Sequence, residues 1–127
     1  MNLEKIRKYL LSKPETKEEL PFGPEALVFK VAGKMFALIA WEQDPIYISM
    51  KCDPERAVAL REIYPAIKAA YHFNKTHWNM VYVDGTLTDD QVTELIDHSY
   101  DLVVKKLKKS DRDRIMGRSA LNVRASR

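Results

Sequence analysis

The chain has 127 residues, a comfortable size for one domain, and its 46% hydrophobic and 31% charged residues are typical of a soluble globular protein. This composition excludes intrinsic disorder, and apolar runs such as ALIAW at 37–41 are far too short to span a membrane. The opening residues lack the continuous apolar stretch of a signal peptide, so we expect a cytoplasmic protein with no membrane partner. The single cysteine, Cys52, allows no internal disulfide and by itself no thiolate-rich zinc site.

The formal net charge of +3 is unevenly distributed along the chain. Residues 1–104 carry 12 Lys and Arg against 16 Asp and Glu, a net −4, whereas residues 105–127 carry 9 against 2, a net +7. We therefore expect one mildly acidic domain over residues 1–109 and a basic tail over 110–127. The tail is either an arm that contacts a polyanion or a solvated segment, frayed or continuing the last helix.

The first predicted helix begins after Asn2, whose side chain is a good N-cap, and carries apolar residues at helical spacing on one face. It ends by Pro14. Residues 15–25 contain two prolines and a glycine, which predict a loop with a short extended piece around Glu18–Leu20.

Residues 26–31 (ALVFKV) and 34–41 (KMFALIAW) predict two strands, because β-branched and aromatic residues are frequent in both. Gly33 lies between them and can adopt the positive φ that a tight turn needs, so we predict a β-hairpin. Residues 46–51 (IYISMK) predict a third strand, and the short connections favour an antiparallel meander.

A second helix is predicted from Asp53 as N-cap and Pro54 at the first helical position, running to about Tyr64. After it, residues 67–73 predict a weak strand and residues 78–83 (WNMVYV) a strong one.

The last predicted helix begins at Thr88, where the run TDDQ at 88–91 fits a capping box, and it continues for about 20 residues, or about 30 Å. Grouped strands with helices outside them predict an α+β fold. We expect an antiparallel sheet of about five to six strands with helices packed on one face.

Five motifs in this order resemble the MmcQ/YjbR family. They are PFGP at 21–24, VFKVAGKMFAL at 28–38, KCDPE at 51–55, YHFNKTHWN at 71–79 followed by VDG, and SYDLVVKKL at 99–107. The resemblance covers nearly all of residues 1–109 and implies a fold similar to CyaY, the bacterial frataxin homologue. It also implies DNA binding through two β-hairpin wings, with no established reaction and no cofactor.

The stretch YHFNKTHWN is the most site-like part of the sequence, because it combines basic, amide and aromatic side chains ahead of a predicted strand. As the tip of one wing it offers cations for phosphates, amides for phosphate oxygens or base edges, and an indole for stacking on DNA or RNA. Two lysines flank the Gly33 turn of the other wing, and a third lies between the wings. The predicted nucleic-acid-binding residues are Lys30, Lys34, Lys51, Asn74, Lys75, His77, Trp78 and Asn79.

Other interpretations of this stretch stay open. The simplest account of Trp78 is a packing residue whose indole N–H bonds a nearby carbonyl. The domain is then a protein-interaction or small-ligand-binding module, with a pocket near Trp78 between the wings. The acidic charge of residues 1–104 also argues against strong non-specific binding to nucleic acid.

Signals for catalysis or metal binding are weaker, and we expect no enzyme activity and no cofactor. Cys52 precedes a predicted helix, and the positive end of a helix can lower the pKa of a thiol. His72 or His77 could then act as the base. The alternative is that Cys52 is a small cysteine buried in the core. The two histidines are five residues apart, on opposite sides of an extended chain, which disfavours a shared metal. The basic first helix lacks the acidic surface of frataxin-type iron binding, and the scattered glycines exclude a phosphate-binding loop.

Overall fold

Six strands and four helices make up the part of the chain that the computed structural model describes, residues 1–71 and 73–125, with side chains described as far as Gly117. No helix within these residues has the length and apolar content needed to cross a membrane. The elements are α1 (Leu3–Ser12), β1 (Thr16–Glu19), β2 (Ala26–Val31), β3 (Lys34–Ala40), β4 (Tyr47–Lys51), α2 (Pro54–Ile63), β5 (Ile67–Ala69), β6 (Trp78–Tyr82), α3 (Asp89–Lys105) and α4 (Lys109–Ala125).

The strands form one sheet in the order β1-β2-β3-β4-β6-β5, and every neighbouring pair is antiparallel. The first four strands follow one another as the predicted meander. The chain then passes through α2 and β5 before β6 pairs with β4, so β5 lies at the edge. The predicted α+β class with an antiparallel sheet is confirmed.

The main hydrophobic core lies between one face of the sheet and the helices. Ile6 and Leu10 from α1 and Ile96 from α3 pack with Phe29 and Ile39 of the sheet, and all five are fully buried. Each such side chain contributes about 1.5–3 kcal/mol relative to full exposure. The helices thus cover one face of the sheet and leave the other open.

A β-bulge in β3 adapts this strand to the core. Phe29 pairs with Ala37 but Lys30 pairs with Met35, so Phe36 is an extra residue in the ladder. The insertion lets the consecutive Phe36 and Ala37 both join the main core, where strict alternation would expose one of them. Met35 consequently lies on the open face, partly buried beside Trp78.

The predicted helix starts are confirmed by their caps. Asn2 Oδ1 accepts from the Lys5 amide at 2.9 Å, and Asp53 Oδ2 accepts from the Arg56 amide at 3.2 Å. Thr88 and Gln91 exchange two hydrogen bonds as a capping box. Side-chain acceptors satisfy amides that the first turn of a helix leaves without partners. The third helix has 17 residues.

The basic C-terminal segment forms a separate helix, α4, after a break at residues 106–108; residues 126 and 127 lie outside the described part of the chain. Ile115 is 1% exposed and joins the main core. Arg114 donates from Nε and Nη2 to the two carboxylate oxygens of Glu15, each at 2.9 Å. This part of the tail is therefore a docked helix.

Candidate functional site

The two predicted wing tips lie at the same end of the sheet. β3 begins at Lys34, β4 ends at Lys51, and Lys51 pairs with Trp78, the first residue of β6. Because adjacent strands are about 4.8 Å apart, β3 and β6 are about 10 Å apart, with β4 between them. We call this region, made of the 32–33 turn, Lys51 and the 70–77 loop, the hairpin end.

The first tip is a tight turn formed by Ala32 and Gly33, with φ values of 48° and 78°. Positive φ at both central residues matches the twist of the flanking strands, which is why Gly33 suits this position. Of the flanking lysines, Lys30 is paired with Glu19 of the edge strand at 2.8 Å. Lys34 is exposed and has no carboxylate partner among the described residues. Lys30 is therefore neutralised within the fold, whereas Lys34 is available.

Lys34 and Lys51 lie at the same end of the neighbouring strands β3 and β4, and the charge of Lys106 reaches Lys51 from the end of α3. Burial lowers the pKa of Lys51, and the positive charges of Lys106 and Lys34 lower it further. None of these three ammonium groups has a carboxylate partner among the described residues. We call Lys34, Lys51 and Lys106 the lysine cluster. Lys106 was not among the predicted site residues, because only the tertiary structure brings the end of α3 to the end of β4.

Trp78 is 7% exposed and belongs to a small cluster on the open face of the sheet. Its ring stacks on Phe73 with centroids 4.8 Å apart and 20° between the planes, and Lys51 Nζ lies 6.0 Å from its centroid. An indole enclosed in this way cannot stack on a base unless Phe73 moves. The geometry favours the packing interpretation of Trp78.

Asn79 points to the opposite face, under α2, and is 2% exposed. Its Nδ2 donates to the Ala57 carbonyl at 3.3 Å, and its Oδ1 accepts from Arg61 Nη1 at 2.8 Å. The same Arg61 nitrogen donates to the Lys75 carbonyl at 3.1 Å. Asn79 is thus a structural link between α2 and β6, and Arg61, which the sequence did not single out, holds the 70–77 loop.

The 70–77 loop is shaped by its own polar groups. Asn74 Oδ1 accepts from the Thr76 amide at 2.9 Å, and the Asn74 carbonyl accepts from the His77 amide at 3.0 Å. The His77 carbonyl accepts from the Cys52 amide at 2.8 Å, which ties the loop to the end of β4. Lys75 is exposed and His77 half-buried. Lys75 is therefore the cation that this loop presents to solvent.

The structure shows the surroundings of the cysteine and of one histidine that bear on catalysis or metal binding. Cys52 is buried, and burial raises the pKa of its thiol. The nearby His98 accepts from the Asp53 amide through Nε2 at 3.1 Å. His72 lies outside the described residues, and within them no three His, Cys, Asp or Glu side chains are grouped as metal ligands.

The open face of the sheet carries an apolar groove of about 310 Å³. Leu38, Ser49 and Met80 lie side by side on β3, β4 and β6 and form its floor. Phe22 and Phe73 come from loops and form its walls. This groove is the largely apolar concavity expected of a small-molecule site.

Comparison with known sequences gives a consistent result. A family model described as YjbR matches residues 11–102. The chain is 41% identical over 95 residues to the uncharacterized protein YbdF of Escherichia coli O157:H7, covering 75% of this chain and 78% of that protein. It is 31% identical over 112 residues to the uncharacterized protein YjbR of Escherichia coli K12, covering 88% of this chain and 95% of that protein.

Solved structures show the same fold. The crystal structure of Deinococcus radiodurans protein DR2400 matches with a TM-score of 0.84 and 39% identity, covering 90% of this chain and 87% of that chain. A crystal structure of a Pseudomonas syringae protein matches with a TM-score of 0.70 and 31% identity, covering 80% of this chain and 98% of that chain.

Proposed function

The chain belongs to the YjbR family, and we propose that it binds the phosphate backbone of DNA through the lysine cluster at the hairpin end. One observation carries the proposal: Lys34 and Lys51 lie at the same end of neighbouring strands, within reach of the charge of Lys106, and none of the three has a carboxylate partner among the described residues. Like charges held together raise the free energy of the unbound protein, and phosphates relieve this repulsion.

The position of the cluster supports the same proposal. The two hairpin tips flank Lys51, and Lys75 on the second tip adds a fourth cation. The inner strands of the two tips, β3 and β6, are about 10 Å apart and the outer strands, β2 and β5, about 19 Å apart. The hairpin end as a whole is therefore wider than the major groove, about 12 Å, and is suited to contact the phosphates that border it.

The proposed contact is to the backbone and not to the bases. Trp78 and Asn79 are enclosed, so the residues best suited to stacking or to reading base edges are occupied inside the fold. Lysines that contact phosphates position a protein on DNA without reading its sequence. We therefore expect binding that is nearly independent of sequence.

The strength of binding follows from the number of cations. Four lysines that neutralise four phosphates predict a slope of about −3.6 for log K against log salt, at about 0.9 per phosphate. The acidic charge of the rest of the domain weakens the attraction, so we expect a Kd of about 10⁻⁴ to 10⁻⁶ M at physiological salt.

A salt titration tests the proposal. Fluorescence anisotropy with a labelled duplex compares the wild-type protein with a Lys34→Gln, Lys106→Gln variant over a range of salt concentrations. Two fewer phosphate contacts predict a slope that is less negative by about 1.8. The matched control is Lys5→Gln, Lys8→Gln, which removes the same charge from exposed positions on α1.

Two results would contradict the proposal: no anisotropy change at low salt, or an equal change of slope in the α1 control. A third variant, Arg112→Gln, Arg124→Gln, examines the basic tail separately. If this variant abolishes binding while the lysine variant does not, the tail is the interface and the hairpin end is not.

A further inference from the structure

The groove on the open face is bounded by residues that pack against other parts of the protein. Its floor consists of opposed residues on three adjacent strands, and Tyr47, one of its lining residues, packs against Tyr82 with ring centroids 5.4 Å apart. The Phe73 wall is held in place by the stacked ring of Trp78. Contacts within the protein thus support the shape of the groove.

The floor of the groove contains one polar group. Ser49 lines the groove, and within the described residues its hydroxyl makes no hydrogen bond. The Ser49 oxygen is not among the buried described atoms that lack a partner, so it is open to the groove, where a bound molecule can reach it. An occupant that offers a hydrogen-bonding atom would satisfy Ser49.

Two lysines start on the open face of the sheet, close in register to the floor of the groove. Lys68 on the edge strand pairs with Met80 of the floor, so it starts on the same face of the sheet. Lys51 lies two residues beyond Ser49 on β4, about 7 Å along the strand and also on this face. No carboxylate is among the described residues that line the groove, and neither lysine has a carboxylate partner among them. Two cations near an uncharged lining favour an occupant that carries an anionic group.

From these three features we infer that the groove binds a small amphiphile with an apolar chain and a carboxylate head. The chain lies over Leu38 and Met80 between the phenylalanine walls. The carboxylate meets Lys51 or Lys68, with Ser49 as hydrogen-bond donor. A volume of about 310 Å³ is at the lower end of the range for small-molecule sites, which favours a single medium-length chain.

This site is distinct from the proposed nucleic-acid surface, although Lys51 borders both. Lys34 and Lys106 belong only to the lysine cluster, while Ser49 and Lys68 belong only to the groove. Variants at these four positions separate the two proposals, so that either can fail without the other.

Titration with three probes of equal chain length tests the inference: decanoate and decyltrimethylammonium, each below its micelle concentration, and decanol, below its solubility limit. Binding is measured by calorimetry and by the shift of the Met80 methyl signal in NMR spectra. We expect decanoate to bind and to move the Met80 signal, decanol to bind more weakly, and the cation to bind least. Absence of any decanoate response, or equal binding of all three probes, would overturn the inference.

Variants locate the contacts. Lys51→Gln and Lys68→Gln are each expected to weaken decanoate binding up to about fivefold, the range of a solvent-screened ion pair. Ser49→Ala removes the hydroxyl and is expected to weaken binding about threefold. The control Lys8→Gln should leave decanoate affinity unchanged.

A variant that fills the groove tests the inference even if the lysine and serine substitutions have small effects on decanoate binding. Ala26 lines the groove and is half-buried, and Ala26→Leu is expected to abolish decanoate binding while the thermal midpoint stays near that of the wild type. Unchanged binding in Ala26→Leu would place decanoate elsewhere. A dimer in solution that dissociates in a Phe22→Ser variant would instead identify a second copy as the occupant of this face, and so overturn the inference.

Discussion

At the residue scale, identical side chains a few positions apart have different roles. Asn74 is exposed and shapes a loop, whereas Asn79 is enclosed between β6 and α2. Both were predicted from the sequence to contact nucleic acid, because the sequence does not indicate which face of the sheet an asparagine in a polar stretch will occupy. The register of β6 decides this, since neighbouring residues of a strand point to opposite faces.

Asn79→Ala is expected to lower the free energy of unfolding by about 2 kcal/mol, because it leaves Arg61 and the Ala57 carbonyl without a buried partner. Urea unfolding measures the change. The matched variant Asn74→Ala removes one bond in an exposed turn and is expected to change stability by about 0.5 kcal/mol or less. Equal stability of the two variants would contradict a structural role for Asn79.

His98 gives the fold a dependence on pH. Burial lowers the pKa of His98 and the charge of Arg56 lowers it further, while Asp53 and Asp101 partly oppose this. An unfolded histidine takes up a proton near about pH 6.5, above the pKa in the folded state. As the pH falls, the unfolded state therefore binds more protons than the folded state. The free energy of unfolding is highest above about pH 7 and decreases progressively as the pH falls through about 6.5 and below.

His98→Gln is expected to flatten this part of the stability profile, since the variant has no imidazole to protonate. Urea unfolding at several pH values between about 5 and 8 measures it. A wild-type profile with no loss of stability below about pH 6.5, or an identical loss in the variant, would show that other groups control the acid response.

At the element scale, α4 shows how a basic segment becomes part of the domain. Its composition is polar enough to suggest a solvated tail, yet Ile115 inserts into the core and Arg114 pairs with Glu15 near the start of β1. Deletion of residues 110–127 therefore removes core packing as well as charge. Charge-neutralising substitutions are consequently the better test of whether this segment binds a polyanion.

Ile115→Ala is expected to destabilise the protein by about 2–5 kcal/mol, because it deletes a fully buried side chain. Its neighbour Met116 is 54% exposed, and Met116→Ala is expected to change stability by about 0.5 kcal/mol or less. Thermal or urea unfolding compares the two. Similar small effects would mean that α4 does not dock in solution as described.

At the scale of the whole molecule, one sheet generates two surfaces with different chemistry. The end of the sheet carries lysines from separate parts of an otherwise acidic domain, and the open face carries a groove of apolar side chains around the Ser49 hydroxyl. Several phosphate contacts make binding at the first surface steeply dependent on salt, whereas apolar burial with a single ion pair makes binding at the second only weakly dependent. Salt dependence therefore distinguishes the two proposed binding events in a single protein.

The sequence alone determined the elements and the family. Helix caps at Asn2, Asp53 and Thr88 and the turn at Gly33 depend on neighbouring residues, so local chemistry was sufficient to find them. The short connections between strands and the grouping of strands with helices outside them also predicted an antiparallel sheet with helices on one face. The motifs identified the family because their order along the chain is itself sequence information.

Tertiary structure alone decided which of the candidate residues lie together. The pairing of β4 with β6 and the path of α3 bring Lys106 to Lys51, enclose Trp78 behind Phe73 and turn Asn79 away from solvent. The bulge at Phe36 and the place of Ser49 in the floor of the groove likewise depend on contacts between distant segments. All segments of the chain compete for burial, and this competition determines which distant segments come into contact. A local pattern of residues does not contain that information.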